Sequence, residues 1–181
     1  VDNGVKVLVI TTELTTRGWI EQMESIGYGM TNAISEGRVM VLSRYGTVAD
    51  ARQDVTLQEV LSSPAIPAAD VIVLDSASSL MPEGGTKADH HTLIQQLRKI
   101  ASDGRSFMLC ADPEEMDHTL LHTLRASAEV VLDLDNAMIG GEIKRNIIIT
   151  RFLRAAGPIQ TSIGWRVEPG MGFIVDITAV S

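Results

Sequence analysis

The sequence has little cysteine, few aromatic residues, a shortage of positive charge and no long apolar run, and each lack excludes something. Its 181 residues hold one cysteine, Cys110. A single thiol cannot close an internal disulfide, and the count suits a reducing compartment, so a cytoplasmic location is expected. Phe, Trp and Tyr make up 4 % of the chain, so its 45 % hydrophobic content must build a core from Val, Ile, Leu, Met and Ala. No apolar run approaches the roughly 20 residues that a membrane helix needs. Lys and Arg number 15 against 23 Asp and Glu, a formal net charge of −8. An acidic chain repels phosphate backbones, which argues against nucleic acid as a partner. No signal peptide is visible. The chain opens on Val1 and reaches its first strand almost at once, which reads as a fragment. Its length suits one domain with one core.

What is present alternates. Val5–Ile10 is a short run rich in β-branched residues, the pattern of a buried strand. A helix follows with Trp19, Ile20, Met23 and Ile26 on one face and Gly27 as its stop. Val39–Leu42 is the next strand. Thr56-Leu57-Gln58-Glu59 has the form of a capping box and starts a helix that Pro64 and Pro67 close. Val71–Leu74 is an unbroken apolar strand ended by Asp75. A loop with Pro82, Gly84 and Gly85 leads to a helix carrying Leu93, Ile94, Leu97 and Ile100. Ser106–Cys110 is a further strand, and Asp112-Pro113-Glu114-Glu115 reads as a capped helix start. After that helix the pattern changes. Glu129–Leu134, Lys144–Leu153, Ile163–Val167 and Phe173–Val180 are strand-like with no helix between them, and Glu168-Pro169-Gly170 fits a type II turn. The expected fold is therefore α/β, a mainly parallel sheet flanked by helices and extended by antiparallel C-terminal strands.

Open parallel sheets bind ligands beyond the carboxyl ends of their strands. Two carboxylates fall at such ends, Glu13 after the first strand and Asp75 after the third. An apolar strand ending in Asp is the form of a Walker B segment, whose aspartate holds Mg²⁺ beside the β- and γ-phosphates of ATP. A second carboxylate there would orient the attacking water. Ser76, next along, could hydrogen-bond that water or the phosphate. By itself Asp75 is a weak signal, since Asp is common after strands, and an exposed loop glutamate is ordinary.

Three segments add a resemblance. Thr12–Tyr28 (TELTTRGWIEQMESIGY), Val71–Ser79 (VIVLDSASS) and Trp165–Phe173 (WRVEPGMGF) are similar to the FlaH family of the archaellum, or archaeal flagellum, motor, in the KaiC-like branch of RecA ATPases. The first and last are the specific ones, because many ATPases share VIVLDS. The resemblance implies a RecA-like domain over residues 1–181, with Glu13 as catalytic glutamate and Asp75 as Walker B aspartate and metal ligand. It implies Mg²⁺ and ATP as cofactors, with Thr12 and Ser76 at the nucleotide. It also implies a cytoplasmic role peripheral to a membrane-embedded motor. The implied partners are the motor ATPase FlaI, the membrane platform FlaJ and a ring scaffold such as FlaX, with a homo-oligomer, a hexamer, in reach. Related ring ATPases carry a basic residue, then an arginine two positions on, at a strand end facing the neighbour's γ-phosphate. Arg151 matches the first position, Leu153 stands at the second, and Arg154 lies one further. A solvated strand-end arginine explains Arg151 equally well.

The family's P-loop pattern G-x-x-x-x-G-K-[ST] is absent from these residues. Gly84-Gly85-Thr86-Lys87 has the letters without the spacing and follows the wrong strand. The loop is expected upstream of residue 1, by roughly 20–30 residues for one helix and a turn. Three functions remain: an ATP-binding regulator of the motor, a catalytic KaiC- or RadA-like ATPase, or an interaction module that has lost its nucleotide. His118 and His122 share a helix face but have no adjoining Glu and no third ligand in view. Asp89-His90-His91 reads as a helix start and Cys110 as core, while a subunit contact and half-buried packing explain Trp165 equally well.

Overall fold

A computed structural model describes residues 4–46, 55–81 and 85–176. Pro82, Gly84 and the end of the last expected strand, residues 177–180, lie outside them. Internal contacts divide the chain into two compact units, Val1–Met23 with Gly29–Leu124, and Glu24–Tyr28 with Arg125–Ser181.

The first unit is built on four parallel strands, β1 (Val7–Thr11), β2 (Val39–Ser43), β3 (Val71–Asp75) and β4 (Ser106–Leu109), in the order β2-β1-β3-β4. Parallel neighbours need crossovers, and helices supply them. Helices α1 (Thr16–Ser25) and α2 (Thr31–Ser35) join β1 to β2, α3 (Leu57–Leu61) with a 3-10 turn at Ile66–Ala68 joins β2 to β3, and α4 (Lys87–Ser102) joins β3 to β4. Successive strand residues point to opposite faces. Leu8 and Ile10 of β1 pack with Ile72 and Leu74 of β3 under Leu57, Val60 and Leu61 of α3 and Leu93, Leu97 and Ile100 of α4. Val9 faces the other way, with Val39, Val41 and Val73, against Trp19, Ile20 and Met23 of α1 and Ala33 and Ile34 of α2. Helices thus cover both faces, which is why these strands read as unbroken apolar runs.

Local chemistry sets the helix starts. Thr56 accepts from Glu59 N–H while Glu59 accepts from Thr56 N–H, the expected capping box. A second box, unforeseen in the sequence, joins Thr86 and Asp89 at the start of α4. Gly85 therefore leads into a helix cap at Thr86, with Lys87 as the first helical residue. The expected helix start at Asp112 is a correction. Asp112 accepts the Glu114 N–H at 2.9 Å in a tight turn, and Asp117 caps α5 (His118–Ser127) through the Leu120 N–H at 2.9 Å. Buried Met116 lies between the turn and the helix. The Asp-Pro dipeptide is a turn former as well as a cap, and Asp117 wins because it stands where the apolar stripe of Leu120 and Leu124 begins.

The antiparallel strands do not extend the first sheet. They form their own, β5 (Val130–Ile139), β6 (Glu142–Phe152), β7 (Ser162–Glu168) and β8 (Gly172–Asp176), paired in sequence order. Gly140 and Gly141, at φ +60° and +84°, make the two-residue turn between β5 and β6, a conformation that nearly demands glycine. Between β7 and β8 the Met171 N–H returns to the Glu168 carbonyl at 3.1 Å across Pro169 and Gly170 (φ +72°), as a type II turn requires. Two specific segments of the sequence meet here. A Cβ on Gly27 would lie 2.6 Å from the Gly170 carbonyl oxygen, and the Tyr28 hydroxyl accepts the Phe173 N–H at 2.9 Å. Close packing thus accounts for the Gly-Tyr and Glu-Pro-Gly pieces of the pattern.

Candidate functional site

The register of the parallel sheet builds the site. Thr11 is the β1 partner of Asp75 on β3, so both strands end at one level and Glu13 and Asp75 leave from the same rim. Glu13 is exposed and Asp75 half-buried, so neither is packed into hydrocarbon. The side chain of Thr11, 1 % exposed, accepts the Glu13 N–H at 3.4 Å and the Leu14 N–H at 3.2 Å, which folds the chain into a turn at Glu13. The Thr12 N–H donates to the Asp75 carbonyl at 2.8 Å, continuing the ladder by one bond. Beyond it, Thr12 Oγ1 accepts the Ser76 N–H at 2.9 Å and donates to the Ser76 carbonyl at 3.0 Å. The Asp75–Ser76 peptide is cis. Ser76 Oγ accepts the Ser78 N–H at 3.2 Å and keeps its own proton for another acceptor.

A third side chain at this rim was missed in the sequence. Cys110 follows β4 directly and is half-buried, with its N–H on the Leu74 carbonyl and its carbonyl receiving the Ala77 N–H. Its thiol pKa is pushed up to about 11, first by burial, then by the charge of Asp75 and a hydrogen bond with it, and last by the charge of Glu13. The same thiol is thus raised by the charge of both carboxylates. A cysteine held as the neutral thiol is a poor nucleophile. The signal was its position, one residue beyond an apolar strand beside the strand that ends in Asp75.

The first unit thus gathers Thr12, Glu13, Asp75 and Ser76. Arg151 lies in the second unit, on β6 opposite Val131, half-buried and with Nε lacking a hydrogen-bond partner among the described residues. Leu153 and Arg154 fall in the turn after β6, where Arg154 takes φ +61° and pairs with Glu129. Trp165 is half-buried and stacks on Phe173, with ring centroids 5.6 Å apart.

The donor set suits hard divalent cations, which prefer oxygen ligands. Among the described residues no three His, Cys, Asp or Glu side chains gather as a metal cage. Two hard carboxylates at an open rim suit Mg²⁺, which keeps several waters and is held by one or two carboxylates together with phosphate oxygens. The phosphate side is not provided by the P-loop pattern, which these 181 residues lack.

No protein-family model matches the chain. Among curated proteins it is similar to the archaeal flagellar ATP-binding protein FlaH of Methanococcus voltae, 27 % identical over 180 residues, covering 99 % of this chain and 78 % of that protein. The FlaH of Methanocaldococcus jannaschii is 28 % identical over 180 residues, covering 99 % of this chain and 77 % of that protein. The crystal structure of the flagellar accessory protein FlaH from Methanocaldococcus jannaschii superposes with a TM-score of 0.85 at 27 % identity, covering 97 % of this chain and 78 % of that one. A KaiC-like protein from Pyrococcus horikoshii gives a TM-score of 0.72 at 17 % identity, covering 97 % of this chain and 77 % of its own. The last of these likenesses shows the fold alone, of the KaiC-like RecA type. The first three establish FlaH proteins as homologues along almost all of this chain.

Proposed function

We propose that this chain, whose homologues are the FlaH proteins, is an ATP-binding regulatory component of an archaeal flagellar motor. The observation that carries the reading is the convergence of Glu13 and Asp75 on one rim of a parallel sheet, beside a thiol that feels both. In this reading Asp75 is the metal ligand, through water. Glu13, exposed and aimed from its turn, orients the water that would attack a γ-phosphate. Ser76 offers its remaining hydroxyl proton to that water or to a phosphate oxygen. Asp75 would hold Mg²⁺, which would supply charge neutralisation to the phosphates. Arg151 is proposed as a group acting on a neighbouring copy's nucleotide in a homo-oligomeric ring.

Regulation follows from the same geometry. A nucleotide bridging the turn at Glu13 and the loop after Asp75 would hold both in one arrangement, and its loss would release them, switching a partner surface. The proposed partners are the motor ATPase FlaI, the membrane platform FlaJ and the scaffold FlaX, reached from the cytoplasmic side. No helix among the described residues is long and apolar enough to cross a membrane.

The test is titration of ATP into the full-length protein that carries this sequence, with and without Mg²⁺. Asp75→Asn is expected to remove the Mg²⁺-dependent gain in affinity, a loss of about tenfold or more, as for a hydrogen-bonded charged group. Glu13→Gln should leave affinity within about threefold and abolish any turnover. Fast steady turnover by the wild type, lost in Glu13→Gln, would move the reading to a catalytic ATPase. Mg²⁺-ATP affinity equal in wild type and Asp75→Asn would remove the site.

A further inference from the structure

We infer that Thr12 is a positioning residue, whose hydroxyl fastens the Glu13 turn to the Asp75 loop and so fixes the spacing of the two carboxylates. The inference rests on the nucleotide reading above and deepens it. Thr12 directly precedes Glu13, and Ser76 directly follows Asp75. Between these two points the side chain of Thr12 makes both bonds that a peptide unit can make, accepting the Ser76 N–H at 2.9 Å and donating to the Ser76 carbonyl at 3.0 Å. With the Thr12 N–H on the Asp75 carbonyl at 2.8 Å, three hydrogen bonds tie Thr12 to the Asp75-Ser76 segment. Both residues are buried, Thr12 4 % and Ser76 8 % exposed, so water cannot readily replace a lost partner.

Hydroxyl arithmetic separates Thr12 from its neighbour. A hydroxyl has one proton. That of Thr12 is given to Ser76 and is not free for a phosphate, whereas the hydroxyl of Ser76 accepts from Ser78 and keeps its proton. Thr12 therefore acts through the carboxylates and not on the ligand. The parallel ladder itself ends at the Thr11–Asp75 pair. Past that pair one backbone bond remains, from the Thr12 N–H to the Asp75 carbonyl, and the Thr12 side chain carries the join one residue further, to Ser76. Valine would copy the shape and fill the space, but it would leave both backbone groups of Ser76 without partners. Serine would keep the hydroxyl and lose only a methyl.

The test uses the full-length protein, with ATP affinity measured in the presence and absence of Mg²⁺ for wild type, Thr12→Val, Thr12→Ala and Thr12→Ser. The expected result is a loss of about tenfold in the Mg²⁺-dependent gain for Thr12→Val, the size of a hydrogen-bond loss. Affinity for ATP without Mg²⁺ should stay within about twofold, and Thr12→Ser should recover the gain to within about threefold. Should Thr12→Val fail to fold by circular dichroism, Thr12→Ala against Thr12→Ser carries the same comparison. An unchanged Thr12→Val, or equal losses in Val and Ser, overturns the clamp while leaving the nucleotide site standing. A wild type without any Mg²⁺-dependent ATP binding overturns the site and the clamp together.

Discussion

The two units bury their strands in different ways. In the first, β1 and β3 carry helices on both sides, and Ile72 and Leu74 are 0 % exposed. In the second, residues opposite one another across the antiparallel ladders share a face. Leu132, Leu134 and Met138 of β5 lie with Ile149, Ile147 and Ile143 of β6, and Trp165 of β7 lies with Val175 of β8. That face is mostly apolar, interrupted by the Asn136–Arg145 pair, yet open, with Leu134 70 % and Met138 71 % exposed. The opposite face carries Asp133, Lys144 and Arg166. A parallel sheet must be covered twice because its crossovers are helices, whereas an antiparallel sheet needs no crossovers and can leave a face uncovered. The candidate site follows from the same difference. Parallel strands end together at one rim and gather their loop residues there, whereas antiparallel strands send alternate ends opposite ways.

The sharpest way to break this comparison is in the first core. Ile72→Ala should cost about 2–5 kcal/mol in urea denaturation, the range for a fully buried large aliphatic. A cost within about 0.5 kcal/mol would mean that the double-covered sheet is not the stable body described here.

Next comes Gly27, which sits at φ +94° with the Gly170 backbone where a Cβ would go. Gly27→Ala should cost about 1–3 kcal/mol from backbone strain alone, and the loss should appear in the second unit, as reduced amide protection at Phe173. An alanine variant with wild-type protection there would contradict the close approach.

A smaller effect is expected from Arg125, whose guanidinium donates to both oxygens of Asp133, the Nη2–Oδ2 contact at 2.8 Å. That hydrogen bond holds the Asp133 carboxyl below the usual carboxylate range; burial opposes the shift, and Thr150 adds to it. A carboxyl with a lowered folded pKa stabilises at pH above its unfolded value and loses that contribution as pH falls through the folded one. Thermal stability measured from pH 6 downward should therefore fall below about pH 4 with a contribution from this pair, and Asp133→Asn should flatten that part of the profile. Both side chains are more than a third exposed, so solvent screening keeps the loss in Arg125→Met below about 1 kcal/mol. The smallest effect is Leu134→Ala on the open face, within about 0.5 kcal/mol by the same denaturation assay. A loss as large as that of Ile72→Ala would show that the face is covered.

The sequence announced the strands of the first unit because burial on both faces leaves an unbroken apolar signal. It announced the Thr56 capping box because that device is local, spanning four residues. The Thr86–Asp89 box was equally local but hid behind glycines that suggest a phosphate loop. Asp112 misled because Asp-Pro serves turns and helix caps alike, and only the position of Leu120 against the core decides between them. At the site, Glu13 and Asp75 were legible as carboxylates after apolar strands. The hydrogen bond of Asp75 with Cys110, and the bond of Thr12 to Ser76, were not. Those depend on strand order and register, which bring together residues far apart in the chain.

The most direct measurement is a crystal structure of the full-length protein with Mn²⁺ and a non-hydrolysable ATP analogue, with the metal located by its anomalous scattering. The account predicts a metal peak beside the Asp75 carboxylate and the γ-phosphate facing Glu13 at the ends of β1 and β3. A metal and triphosphate held elsewhere, with Asp75 and Glu13 facing only solvent, would contradict it.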